Sequence, residues 1–151
     1  MPPGSHLVNY TDSLYSIRVP ASWKFEKGGK MGTEFFIYSK ELSSQINLVI
    51  ESDDTTSDLN GYMLLSDAQF KNAKGLEMIS NSRETVNGRV FHKWIYTLEN
   101  ETNRNKFRIE QYIWFIKHKA YILTFAIPAN VVDINTITIG EFIMNSFEIR
   151  K

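Results

Sequence analysis

Hydrophobic and polar positions along the first third of the chain alternate with the period of a strand. Residues 15–19 read as a short strand closed by Pro20, which has no amide hydrogen to give a ladder, and residues 23–26 resume as a second. Gly28, Gly29 and Gly32 make a flexible turn. Residues 34–39 and 45–51 are rich in Phe, Ile, Val and Tyr and flank the polar stretch 40–44, which predicts a hairpin. The period then changes. Leu59, Tyr62, Met63, Phe70 and Ala73 fall on one face of a helix. Ser57 or Asp58 can cap its start, Lys71 and Lys74 suit its negative end, and Gly75 supplies the left-handed residue that stops it.

Asn87-Gly88, the dipeptide best suited to the two positive φ angles of a type I′ turn, joins 77–86 to 89–98 as a second hairpin. The segment 99–105 is polar and loop-like. In 106–116, Phe107, Ile109, Ile113 and Phe115 point to one side and Arg108, Glu110, Tyr112 and Trp114 to the other. Residues 121–127 are apolar on both faces, which places them centrally in a sheet covered on each side. The tail mixes β-branched 131–139 with a helical 141–145. A long antiparallel sheet that needs two covers assigns this tail as the second helix. The expected class is α+β, an antiparallel sheet sandwiched between helices, with Trp23 and Phe147 anchoring the two ends of the chain in the core.

Length and composition narrow the picture further. A chain of 151 residues without repeats or linkers fits one domain, expected over 7–151. Met1-Pro2-Pro3-Gly4-Ser5-His6 looks like a cloning remnant or disordered start, so a native signal or anchor ahead of it is compatible with the sequence. Such an anchor is the one expected route to a membrane, because no apolar run approaches the roughly 20 residues of a spanning helix. Cysteine is absent, which removes disulfides and thiolate metal sites and leaves the compartment open. A net charge of zero removes the broad attraction on which non-specific nucleic-acid binding depends.

Catalytic, cofactor and metal sites are not expected. His6, His92 and His118 are far apart and form no two-histidine spacing. Glu51, Asp53, Asp54 and Asp58 miss the calcium-loop pattern and read as a solvated loop capping a helix. Gly28-Gly29-Lys30-Met31-Gly32 fits no phosphate-cradling motif, and no nucleophile elbow exists. Lys106, Arg108, Lys117 and Lys119 interleave with Tyr112 and Trp114, a pattern single-stranded nucleic acid can use. Glu110 interrupts that stripe, and an edge or solvated strand face explains it better. The Asn9-Tyr10-Thr11 and Asn100-Glu101-Thr102 triplets are too short to carry weight. A small hydrolase would have to pair His92 with a carboxylate such as Glu110.

The punctuation of the chain adds a resemblance. Tyr15-Ser16-Ile17-Arg18-Val19-Pro20-Ala21-Ser22-Trp23 resembles the opening of the PsbP-like family. Leu59 and Tyr62 resemble the start of its helix in bacterial members, Val86-Asn87-Gly88 its central hairpin turn, Lys119-Ala120-Tyr121-Ile122-Leu123-Thr124 its penultimate strand, and Asn145-Ser146-Phe147 its close. His118-Lys119 stands where the family commonly has Asp-Gly. The resemblance implies the fold shared with the Ran nucleotide-release factors and the DcrB-like proteins. It implies accessory or assembly roles, a non-catalytic binding domain, and a protein partner, with a second copy of the chain among the candidates. Of the two functions it suggests, the soluble part of an envelope lipoprotein stands ahead of a cytoplasmic secretion chaperone.

Overall fold

A computed structural model describes residues 6–28, 33–56, 58–71, 73–86 and 88–150, apart from the side chains of 70 and 71. Gly29, Lys30, Met31, Gly32, Ser57 and Asn87, all named above, lie outside the described residues. The strand periods resolve into β1 Leu7–Thr11, β2 Tyr15–Pro20, β3 Lys24–Lys27, β4 Phe35–Ser39 and β5 Ser44–Ser52. Helix α1 Leu59–Lys71 follows, then β6 Leu76–Val86, β7 Arg89–Glu99, β8 Lys106–Ile116 and β9 Lys119–Pro128. A 3₁₀ turn at Ala129–Val131 leads into α2 Ile134–Ser146, and β10 Glu148–Ile149 closes the chain.

Seven strands form an antiparallel sheet in the order β3-β4-β5-β9-β8-β7-β6. Strand β9 sits at its centre, where its apolar residues on both faces require it. A second sheet, β1-β2-β10, lies apart. On one face of the large sheet, Phe35, Ile46, Leu123 and Phe125 are fully buried together with Ile143 and Met144 of α2 and with Tyr15 and Ile17 of the small sheet. This is the α2 face. Trp23 and Phe147 are buried in that core, and the Phe147 ring meets Tyr15, Phe35 and Trp114. The close approach of α2 depends on Gly140, where a Cβ would stand 2.0 Å from the Phe125 ring.

The opposite face carries a smaller core. Tyr62 and Met63 of α1 cover Trp94, Tyr96, Ile113 and Ala120. Asp58 caps α1 through its Oδ1, which accepts from the Gly61 amide at 2.8 Å, and Asp133 caps α2 by accepting from the Thr136 amide at 2.8 Å.

Four expectations need correction. The predicted strand 15–19, now β2, pairs with β1 and β10 in a separate sheet instead of joining a single one, and β1 and β10 have no readable period. Helix α1 ends at Lys71, so Ala73 lies outside it and is exposed, while Gly75 takes φ +78° at the entry to β6. There a Cβ would stand 2.6 Å from the Glu99 carbonyl oxygen, so close backbone approach as well as φ demands glycine. The stripe on β8 is not an edge, because β8 is paired on both sides. The turn between β8 and β9 consists of Lys117 and His118, both at positive φ, one position earlier than the His118-Lys119 comparison suggests.

Candidate functional site

The alternation in β8 that sends Arg108, Glu110 and Tyr112 to the α2 face produces a buried ionic cluster. Glu110 is wholly inaccessible, with Arg108 Nη1 at 3.3 Å from Oε1 and the Tyr112 hydroxyl at 3.1 Å from Oε2. Burial raises the Glu110 pKa, and Glu141 of α2 raises it further, while Lys93 and Arg108 pull it back. Lys93 Nζ lies 3.9 Å from Glu141 and 3.6 Å from Glu84, and 5.6 Å from the centre of the Tyr112 ring. The Tyr112 hydroxyl also stands 3.2 Å from Asn145 Oδ1, so one proton faces two acceptors. A protonated Glu110 resolves this, since it can donate to the tyrosine oxygen while the tyrosine donates to Asn145. The cluster ties α2 to the sheet, and Glu110 is enclosed within it.

His92 falls on the other side. Its ring meets Trp94 edge-on within the α1 core, its Nε2 bonds Asn81 Oδ1, and its Nδ1 has no hydrogen-bond partner among the described residues. Desolvation, with Arg83 adding to it, lowers its pKa. His92 and Glu110 therefore cannot act as a pair, because the sheet stands between them. Three of the carboxylates at the end of β5 and in the loop after it are engaged locally. Asp53 Oδ1 accepts from the Thr55 amide at 2.8 Å and its hydroxyl at 2.5 Å, Asp58 caps α1, and Glu51 accepts from the Tyr62 hydroxyl. His118 Nδ1 donates to the Thr56 carbonyl at 2.9 Å. No group of three metal-ligating side chains occurs among the described residues.

The remaining feature is an uncovered half of the α1 face. Helix α1 packs on β7 and β8, and a helix about 10 Å across spans only two strand spacings of about 4.8 Å. Beyond it the register sets out two rows of side chains. One runs Lys24, Tyr38, Gln45, Ala126, and the other Glu26, Phe36, Asn47, Thr124. Phe36 and Tyr38 are half-buried, with ring centres 5.6 Å apart. They floor a cavity of about 560 Å³ that Phe107, Pro128 and Lys40 help to line. Phe107 and Pro128 also line a second cavity of about 450 Å³ toward Arg104 and Lys106. The Gln111 amide donates to Thr124 Oγ1 at 3.0 Å where the groove meets the helix-covered half.

Comparison of this arrangement with solved structures is decisive for the architecture. Cyanobacterial PsbP (CyanoP) from Synechocystis sp. PCC 6803 superposes with a TM-score of 0.65 at 14% identity, over 99% of this chain and 96% of that one. The chain has the PsbP-like fold. The Saccharomyces cerevisiae Ran-binding protein Mog1p matches at 0.60 and 8% identity over 98% and 97% of the two chains. LpqN of Mycobacterium tuberculosis, described as involved in cell envelope biogenesis, matches at 0.65 and 11% identity over 96% and 90%. No family model and no curated protein matches the sequence.

Within this PsbP-like fold the groove residues went unnoticed in the sequence, where Phe36, Tyr38 and Phe107 pass for ordinary strand residues. A signal was present. In 35–38 both faces are aromatic or aliphatic, yet the neighbouring strand offers Gln45 and Asn47 to one of them. Gln45 is exposed and Asn47 half-buried, so the two amides beside the rings mark a part of the face that α1 does not cover.

Proposed function

We propose that the chain is a non-catalytic binding domain that docks a protein partner on the open half of the α1 face. The observation that carries this is the groove itself. It is a concave surface floored by Phe36, Tyr38 and Phe107, set beside an otherwise helix-covered sheet, with hydrogen-bonding amides in its floor. The separation of His92 from Glu110 removes the one acid–base pairing the sequence offered. The Ran-binding activity named for Mog1p supports a protein partner, and the envelope role named for LpqN supports an extracytoplasmic setting, as the soluble part of an envelope protein.

A photo-crosslinking residue placed at position 38 in the native cell tests the docking surface, with the same residue at the exposed Thr138 of α2 as control. The expected result is a discrete adduct at 38 that is absent at 138 and is lost when Phe36 is changed to Asp. The same adducts at both positions, or none at 38, would overturn it.

A further inference from the structure

The groove has a chemical bias that narrows the partner. Lys40 lines its β4 end, and Lys24 flanks Tyr38 across the β3/β4 ladder. Both lysines are exposed, and neither forms an ion pair among the described residues. Glu26 is the one acid among the described residues lining the cavity. On a chain of zero net charge, uncompensated positive groups gathered around an aromatic floor are a local excess.

We infer that the groove receives an extended segment of a partner protein that carries carboxylates beside apolar side chains. This rests on the docking role proposed above. The distance from β4 across β5 and β9 to β8 is three strand spacings, about 14 Å, which matches roughly four extended residues. Apolar side chains of the segment contact Phe36, Tyr38 and Phe107. Its carboxylates reach Lys24 and Lys40, and the Gln45 and Asn47 amides, each both donor and acceptor, suit its peptide groups. Nucleic acid fits less well. A phosphate recurs at every nucleotide and would have to pass Glu26, whereas a peptide can set its carboxylates apart from that residue, and the zero net charge offers a polyanion no long-range attraction.

The test uses the full chain and two synthetic peptides with Phe and Leu at alternate positions, one with Glu between them and one with Lys. Binding is read from amide resonances of Phe36, Tyr38 and Gln45 at about 1 mM peptide, which reports even millimolar affinity. The expected result is that the Glu peptide binds about tenfold more tightly than the Lys peptide at low salt. The preference should shrink at high salt and invert in the doubly substituted Lys24→Glu, Lys40→Glu chain. If the Lys peptide binds these residues as tightly or more so, the acidic partner is wrong and the docking groove stands. If neither peptide moves the three resonances, the groove fails as well. Tighter binding of a thymidine oligonucleotide than of the Glu peptide would overturn the proposal in favour of nucleic acid. Self-association of the chain that shifts the same resonances, and that Tyr38→Asp abolishes, would overturn it in favour of a second copy.

Discussion

The α2 face of the sheet is closed from β4 to β7 by a helix and a small sheet acting together, whereas the α1 face is closed by one helix and left open over β4 and β5. The closed side holds Phe35, Ile46, Leu123 and Phe125 without access to solvent and even encloses the Glu110 carboxylate. The open side keeps Phe36 and Tyr38, their neighbours in sequence, half-exposed. Adjacent residues of one strand thus serve different ends. Stability is concentrated on one face, which frees the other to meet a partner.

The largest expected effects test that division directly. Changing Phe147 to Ala, or Trp23 to Ala, removes a large ring from the closed core and should lower unfolding free energy by about 3–5 kcal/mol in a denaturant titration. A loss below about 1 kcal/mol would break the assignment of stability to the α2 side.

Next comes Gly140. Alanine is the better helix former by about 1 kcal/mol, so on propensity alone Gly140→Ala would stabilise. Its Cβ would meet the enclosed Phe125 ring at 2.0 Å, and overpacking of this kind costs about 1–3 kcal/mol. Packing should win. A net loss of stability is therefore expected from the midpoint of thermal unfolding, and an unchanged or raised midpoint would mean that α2 lies less firmly on the sheet.

The two faces should also differ in their response to pH. Glu110 has a folded pKa above the ordinary 4.5, so between those values the folded chain holds more protons than the unfolded one, and stability falls as pH rises through that window. His92 has a folded pKa below the ordinary 6.5, so its contribution is present above 6.5 and is lost as pH falls toward the folded value. Urea titrations between about pH 5 and 8 should show Glu110→Gln flattening the loss on the alkaline side, and His92→Gln flattening the loss on the acid side. A profile unchanged by Glu110→Gln would show that the carboxyl is charged throughout.

Sequence periodicity carried most of the architecture because β8 and β9 have strong patterns. Ile109, Ile113 and Phe115 do pack in the α1 core, with Phe107 on the same face beyond the helix, and the doubly apolar β9 is the central strand. What escaped it shares a physical reason. Strand β1 alternates between exposed and half-buried residues, and the two residues of β10 are too few to show a period. The ionic cluster and the groove are further from reach, since each depends on which helix lands on which part of which face. Nothing in the spacing of Glu110 and Glu141 says that α2 brings them together. Nothing around Phe36 says that α1 stops two strands short.

The smallest expected effect is the one that sharpens the comparison most. Tyr38→Ala deletes an aromatic ring, as Phe147→Ala does, yet the ring is half-buried at the open groove and leaves no enclosed cavity behind. Its loss should cost about 1 kcal/mol or less in denaturant unfolding. Lys24→Glu and Lys40→Glu, on the exposed rim, should each stay within about 0.5 kcal/mol. The same substitutions should weaken or redirect peptide binding in the groove. If Tyr38→Ala instead destabilised the fold as much as Phe147→Ala, the ring would be closing a core, and the open half of the α1 face would owe its aromatic floor to stability instead of to a partner.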